Sequence, residues 1–162
     1  MRRRLAGLAA LLLATGASHV AWSGDVEDCR DVLTVAQADP ARAAAACRRL
    51  AEAGVATAQH NLGTLYIKGQ GVPHDYATAA AWFEKAADQG IAVAQTALGV
   101  LYLYGLGVVQ DSVQAYAWFT LAAGQGNAAA AADRDRAARQ MNAAQIELAK
   151  ARAAAWKPVG KP

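Results

Sequence analysis

Few side chains in this sequence could act as nucleophiles, proton carriers or metal ligands. Serine occurs only at 18, 23 and 112, cysteine at 29 and 47, and histidine at 19, 60 and 74. Ser112 opens "SVQA", with no lysine at the spacing an acylating serine site uses. Zinc takes three or four clustered ligands. His60 and His74 stand apart, with no cysteine or carboxylate pattern around them, and read as surface residues. Neither cysteine has a nearby histidine to activate it as a thiolate. Asp133 and Asp135 fall at helical spacing from Arg136 and Arg139, the pattern of a solvated face. "GQGV" at 69–72 follows a helical pattern and is not fed by a strand, so it is no phosphate cradle. These residues predict no catalytic set, no metal site and no cofactor.

The elements that carry them are helical. The 162 residues suffice for one modest domain, alanine dominates, and strand-type runs are scarce. The first residues stand apart: "MRRRLAGLAALLLATGAS" has three arginines, an apolar run from Leu5 to Ala14, then small residues. That is the grammar of a secretory signal peptide, expected over 1–23, with cleavage after Ala17 or Ser23. The alternative is a retained anchor, although the apolar run is shorter than the ~20 residues that span a bilayer. Export predicts a periplasmic or secreted protein with no stable membrane insertion once the leader is removed. Arg2, Arg3 and Arg4 leave with it, so the 16 basic and 13 acidic residues of the whole chain become 13 of each. A balanced mature chain lacks the basic excess that nucleic-acid binding requires.

Cys29 and Cys47 are symmetric about position 38, just before Asp39 and Pro40, which read as a helix N-cap and first helical position. This sets the cysteines level on two antiparallel helices joined by a tight turn. In an oxidising compartment a disulfide between them is expected; the alternative is a pair of small buried thiols.

The dominant feature is a repeat. Residues 55–90 and 91–126 align without a gap and share 19 of 36 positions. Among the identities are Leu62/Leu98, Gly63/Gly99, Tyr66/Tyr102, Gly69/Gly105, Gly71/Gly107, Asp75/Asp111, Ala79/Ala115, Trp82/Trp118 and Phe83/Phe119. A period in the thirties means stacked helix pairs. Ala58, Leu62, Leu65 and Tyr66 form one helical stripe, and Ala79, Trp82, Phe83 and Ala86 a second that must bury the first. Glycines at 69, 71, 105 and 107 suit the turn, and Asp75 and Asp111 the N-cap of the second helix. Gly63 and Gly99 lie inside helices, where glycine costs roughly 1 kcal/mol against alanine. Close approach of a neighbouring helix is the expected reason.

The run "A..LG.LY..G.GV..D...A..WF..AA.QG" resembles the Sel-one-like repeat, a relative of the tetratricopeptide repeat. The resemblance covers 55–126 and implies an all-α, short right-handed solenoid of antiparallel helix pairs. Residues 24–54 resemble a degenerate pair, with "ARAAAACRRLAEAG" aligned to the second helix of the repeat. Residues 127–157 resemble closing helices, with Asn142 and Gln145 as a capping box and Ile146, Ala149, Ala153 and Trp156 on one stripe. Such solenoids are protein- or peptide-binding adaptors, and the resemblance implies a non-catalytic scaffold of the bacterial cell envelope. The first helix of each unit then lines the concave face. That carries partner contact to Thr57, His60, Thr64, Ile67 and Lys68 in one unit and Val93, Thr96, Val100, Leu103 and Tyr104 in the next. Almost none of these match between units, although the packing positions do. The expected occupant is a polypeptide segment, apolar in its middle and acidic at one end, with Arg136 and Arg139 at the far end of the groove. The competing expectation is that Val93, Val100 and Leu103 are core. Cysteine-rich relatives suggest another function, binding or hydrolysis of a cell-wall or β-lactam-type molecule. Those relatives carry a cysteine pair in every unit, and both full repeats here lack one.

Overall fold

A computed structural model describes residues 23–159. The expected leader, apart from Ser23, lies outside the described residues. The described chain is all-helical: α1 (residues 23–30), α2 (Val32–Ala38), α3 (Pro40–Glu52), α4 (Ala56–Lys68), α5 (Tyr76–Asp88), α6 (Ala92–Tyr104), α7 (Ser112–Gly124), α8 (Ala128–Ala138) and α9 (Ala143–Ala155). Successive helices from α2 to α8 pack on one another, and α9 packs against α7. This is the layered order of a solenoid. No described helix is long and apolar enough to cross a membrane.

The repeated residues solve the same packing problems twice. A Cβ on Gly63 would lie 2.7 Å from the Phe83 ring, and one on Gly99 2.6 Å from the Phe119 ring. The glycines therefore receive the phenylalanine of the second helix in the same unit. A second contact joins one unit to the one before. Gly71 and Gly107 have φ of 70°. A Cβ there would fall 1.9 Å from the Pro40 carbonyl oxygen and 2.3 Å from the Tyr76 carbonyl carbon. Each glycine turn thus sits on the first residue of the preceding unit's second helix.

A third contact is polar. Gln59 Nε2 donates to the Ala51 carbonyl, and Gln95 Nε2 to that of Ala87, each at 3.2 Å. Gln89 and Gln125 then donate to the Gln59 and Gln95 side-chain oxygens at 2.8 and 2.9 Å. The buried Gln59 and Gln95 amides tie each unit to its predecessor. Ala131 holds the corresponding place in α8, so the ladder stops where the repeats stop.

The N-terminal helices reuse this frame with one substitution. Cys47 stands 36 residues before Phe83 and is fully buried. It forms a disulfide with Cys29, the two Cα atoms 4.8 Å apart. A covalent staple therefore takes the place of the ring-on-glycine contact. The two cysteine helices, α1 and α3, are antiparallel partners, but the expected tight turn between them is wrong. The short helix α2 stands where the later units have their glycine turn, because 31–39 contains no glycine to leave a helix at positive φ. Asp39 still caps α3, accepting from the Arg42 N–H with Pro40 in the first position.

At the other end α9 begins with the capping box of Asn142 and Gln145. Ala149 and Ala153 are buried, Ile146 packs beside Phe119 and Tyr116, and Trp156 meets Trp118 edge to face at 6.4 Å. The predicted stripe thus covers the last repeat.

Candidate functional site

Thr57, His60 and Val93 come together on the face made by the first helix of each unit. They line a groove of about 450 Å³ between α1, α4 and the start of α6. Sequence reasoning did not place Val26 and Arg30 of α1, nor Val55, Asn61 and Ile91, in the same lining. Their signal was weak, since α1 lies outside the readable repeat and Val55 and Ile91 occupy helix N-cap positions. Val93 is 51 % exposed, so it is available to a partner.

His60 is the groove's one titratable side chain besides Arg30. Its ring tilts over Phe83 at 5.4 Å, and its Nδ1 is buried without a hydrogen-bond partner among the described residues. Burial disfavours the charged imidazolium and moves its pKa below the usual histidine value. Asn61, next along α4, donates from Nδ2 to the Cys29 carbonyl at 2.6 Å and so fixes α1 over α4.

The remaining predicted residues divide. Lys68 and Tyr104 are exposed at the last turns of α4 and α6. Arg136 of α8 brings Nη1 to 3.5 Å from the Tyr104 hydroxyl, and also pairs with Asp133 at 2.8 Å. Arg139 is exposed just beyond it. Leu103 is 1 % exposed, packed in the cluster of Phe119, Tyr116 and Val113. It is core, and its assignment to the groove is corrected. Val100 leans on the same cluster, and Ile67 on the one around Phe83. The Thr64 hydroxyl is spent on the His60 carbonyl. That of Thr96 donates to Ala92 and accepts from Asn127 Nδ2, which knits α6 to α8. The face therefore offers an apolar groove at one end and a tyrosine–arginine pair at the other.

Ser112 meets Gln140, and His74 stands edge-on to the Tyr76 ring at 4.5 Å. No group of three potential metal ligands occurs among the described residues.

The Sel1 repeat family matches residues 56–91 and 92–127. Among solved structures, the chain is similar to c5321, a protective antigen present in uropathogenic Escherichia coli strains displaying an SLR fold. The identity is 38 %, the TM-score 0.68, and the match covers 70 % of this chain and 24 % of that one. It is also similar to a Sel1 repeat protein from Oxalobacter formigenes, with 35 % identity, TM-score 0.58, and 59 % and 40 % of the two chains covered. The chain thus spans about a quarter of the first and two fifths of the second. No curated protein matches it. Sel1 repeats generally serve as protein–protein interaction scaffolds. Glycine-seated phenylalanines, docked glycine turns and the buried Gln59 and Gln95 amides recur over the same two units, and the chain carries two Sel1 repeats in an SLR-type helical solenoid.

Proposed function

We propose that this protein is a non-catalytic adaptor of the bacterial cell envelope that binds a polypeptide segment on the concave face of its solenoid. One observation carries the reading. On a frame whose packing positions repeat, the exposed positions of the first helices differ between units, Thr57 and Lys68 in one against Val93 and Tyr104 in the next. Selection for packing alone gives no reason for a half-exposed valine and tyrosine on one face. The export-type leader and the disulfide support a periplasmic or secreted location, since disulfides persist in oxidising compartments.

The test is photocrosslinking in cells that export the chain, from a photoreactive residue at Tyr104 and, as control, at exposed Ala81 of α5. The expected result is a discrete polypeptide adduct from position 104 and none from 81. Equal labelling from both positions, or none from 104 in a folded and exported chain, contradicts the adaptor reading.

A further inference from the structure

We propose that the groove between α1, α4 and α6 docks a short aliphatic polypeptide segment bearing an acidic side chain, with α1 as one of its walls. The proposal rests on the adaptor reading and deepens it. Three valines from three separate elements face this one groove: Val26 on α1, Val55 before α4 and Val93 on α6, each 38–51 % exposed. Apolar side chains brought together from distant parts of a chain, and left part-wet, are the signature of a surface completed by a partner.

Two further features set the chemistry. Val55 and Ile91 are N-caps that make no side-chain hydrogen bond, whereas Asp75, Asp111, Asn127 and Asn142 all cap their helices. The groove's edge is thus apolar where the rest of the fold is polar. The charge there has one sign. Arg30 is the single charged residue in the lining, and α4 and α6 contain no acidic residue. Asp25 and Asp28 of α1 are engaged by Arg49 and Arg42 of α3. Among the described residues Arg30 meets its neighbour Asp31 alone, at 3.5 Å, with both side chains more than half exposed. Such a pair is weak and yields readily to a partner's carboxylate. His60, whose Nδ1 has no hydrogen-bond partner among the described residues, adds a polar group to the lining. A segment of aliphatic side chains flanked by Asp or Glu answers all of these features, and a basic segment answers none of the charge.

The wall is conditional on the N-terminal staple. Cys29 lies in the groove lining, and α1 is held by the disulfide to Cys47, the Asn61 hydrogen bond and the two ion pairs. The binding surface therefore extends beyond the two Sel1 repeats.

Panning a phage-displayed random heptapeptide library on the intact, disulfide-bonded chain tests this. The expected yield is peptides rich in Val, Ile and Leu with an Asp or Glu. Synthetic copies should lose at least tenfold in affinity on Val93→Asp and on Val26→Asp. Arg30→Glu should reverse the preference between a glutamate peptide and its lysine counterpart. All three positions are exposed, so unchanged melting curves separate lost binding from lost folding. No enrichment over bare support, or peptides indifferent to all three substitutions, overturns the proposal. If Val93→Asp weakens binding and Val26→Asp does not, the α1 wall is overturned. A Tyr104 adduct alongside failed panning removes this groove and leaves the adaptor reading standing; failure of both removes both.

Discussion

At Gly63 and Gly99 two costs compete. Alanine in their place would gain roughly 1 kcal/mol of helix propensity. Its methyl would also press into a phenylalanine ring from under 3 Å, and overpacking a filled site costs about 1–3 kcal/mol. Gly63→Ala should therefore destabilise the chain in chemical denaturation. In Phe83→Ala, which by itself costs about 3–5 kcal/mol, the same glycine substitution should become neutral or stabilising. Additive effects would show that the glycine is not there for the ring. This contact was legible in the sequence, because a helical glycine repeated 36 residues on demands a steric reason. The glutamine ladder was equally repeated, as Gln59/Gln95 and Gln89/Gln125, but a glutamine on a helix reads as solvent-facing until its burial is seen, as it is at Gln59 and Gln95. Leu103 failed for the related reason that neighbouring positions on one turn divide between groove and core.

His60 gives a residue-scale prediction in pH. Its folded pKa lies below the ordinary value of 6.5 because it is buried. The unfolded chain then binds the extra proton first as pH falls, so stability is full above about 6.5 and declines below it. Asp25, paired with Arg49, and the cap Asp75 are both lowered from 3.8, Asp25 chiefly by its Arg49 hydrogen bond and Asp75 by that of Thr78, and lose their contribution only at lower pH. Melting temperature should thus fall between pH 7 and 5 in the native chain and stay flatter in His60→Gln. Parallel curves would place the titration elsewhere.

At the scale of elements, the disulfide and the cap do what repeats cannot do at their own ends. Cys29 and Cys47 are 18 residues apart, and a staple closing a loop of that size contributes about 3 kcal/mol in the chain-entropy account. Replacing both by serine should expose α1 and α2 to protease while α4 to α9 remain protected. Loss of structure throughout would mean that the N-terminal helices nucleate the whole solenoid. Truncation before α9 should uncover Trp118, Tyr116 and Phe119 and drive aggregation, since an open solenoid end exposes core. The pairing of the cysteines was readable from their symmetry about Asp39 and Pro40. Helix α2 was not, because an interval without glycine or proline carries no punctuation to mark how the chain reverses.

At the scale of the molecule, the repeat dictates the stack, and each unit is tied to the one before by a glycine turn and a buried amide. Gly107→Ala breaks the first of these. Its Cβ would meet the Tyr76 backbone, which cannot move aside as a side chain can. It should cost more than Gly105→Ala, where the nearest atom is the Gln110 Cβ at 3.2 Å, and calorimetry should show the two repeats beginning to melt separately. The stacking order was visible in the spacing alone. The groove was only half visible, since it is built from α1, α4 and α6 together and no single stretch of sequence contains it. The most direct test of the central claim, that the first-helix face binds polypeptide, is amide NMR on the isotope-labelled chain titrated with a selected peptide or the segment crosslinked from Tyr104. The account predicts shifts confined to α1, α4, α6 and the Tyr104–Arg136 end, centred on Thr57, His60 and Val93. Shifts centred instead on the outer surfaces of α5 and α7 would contradict it.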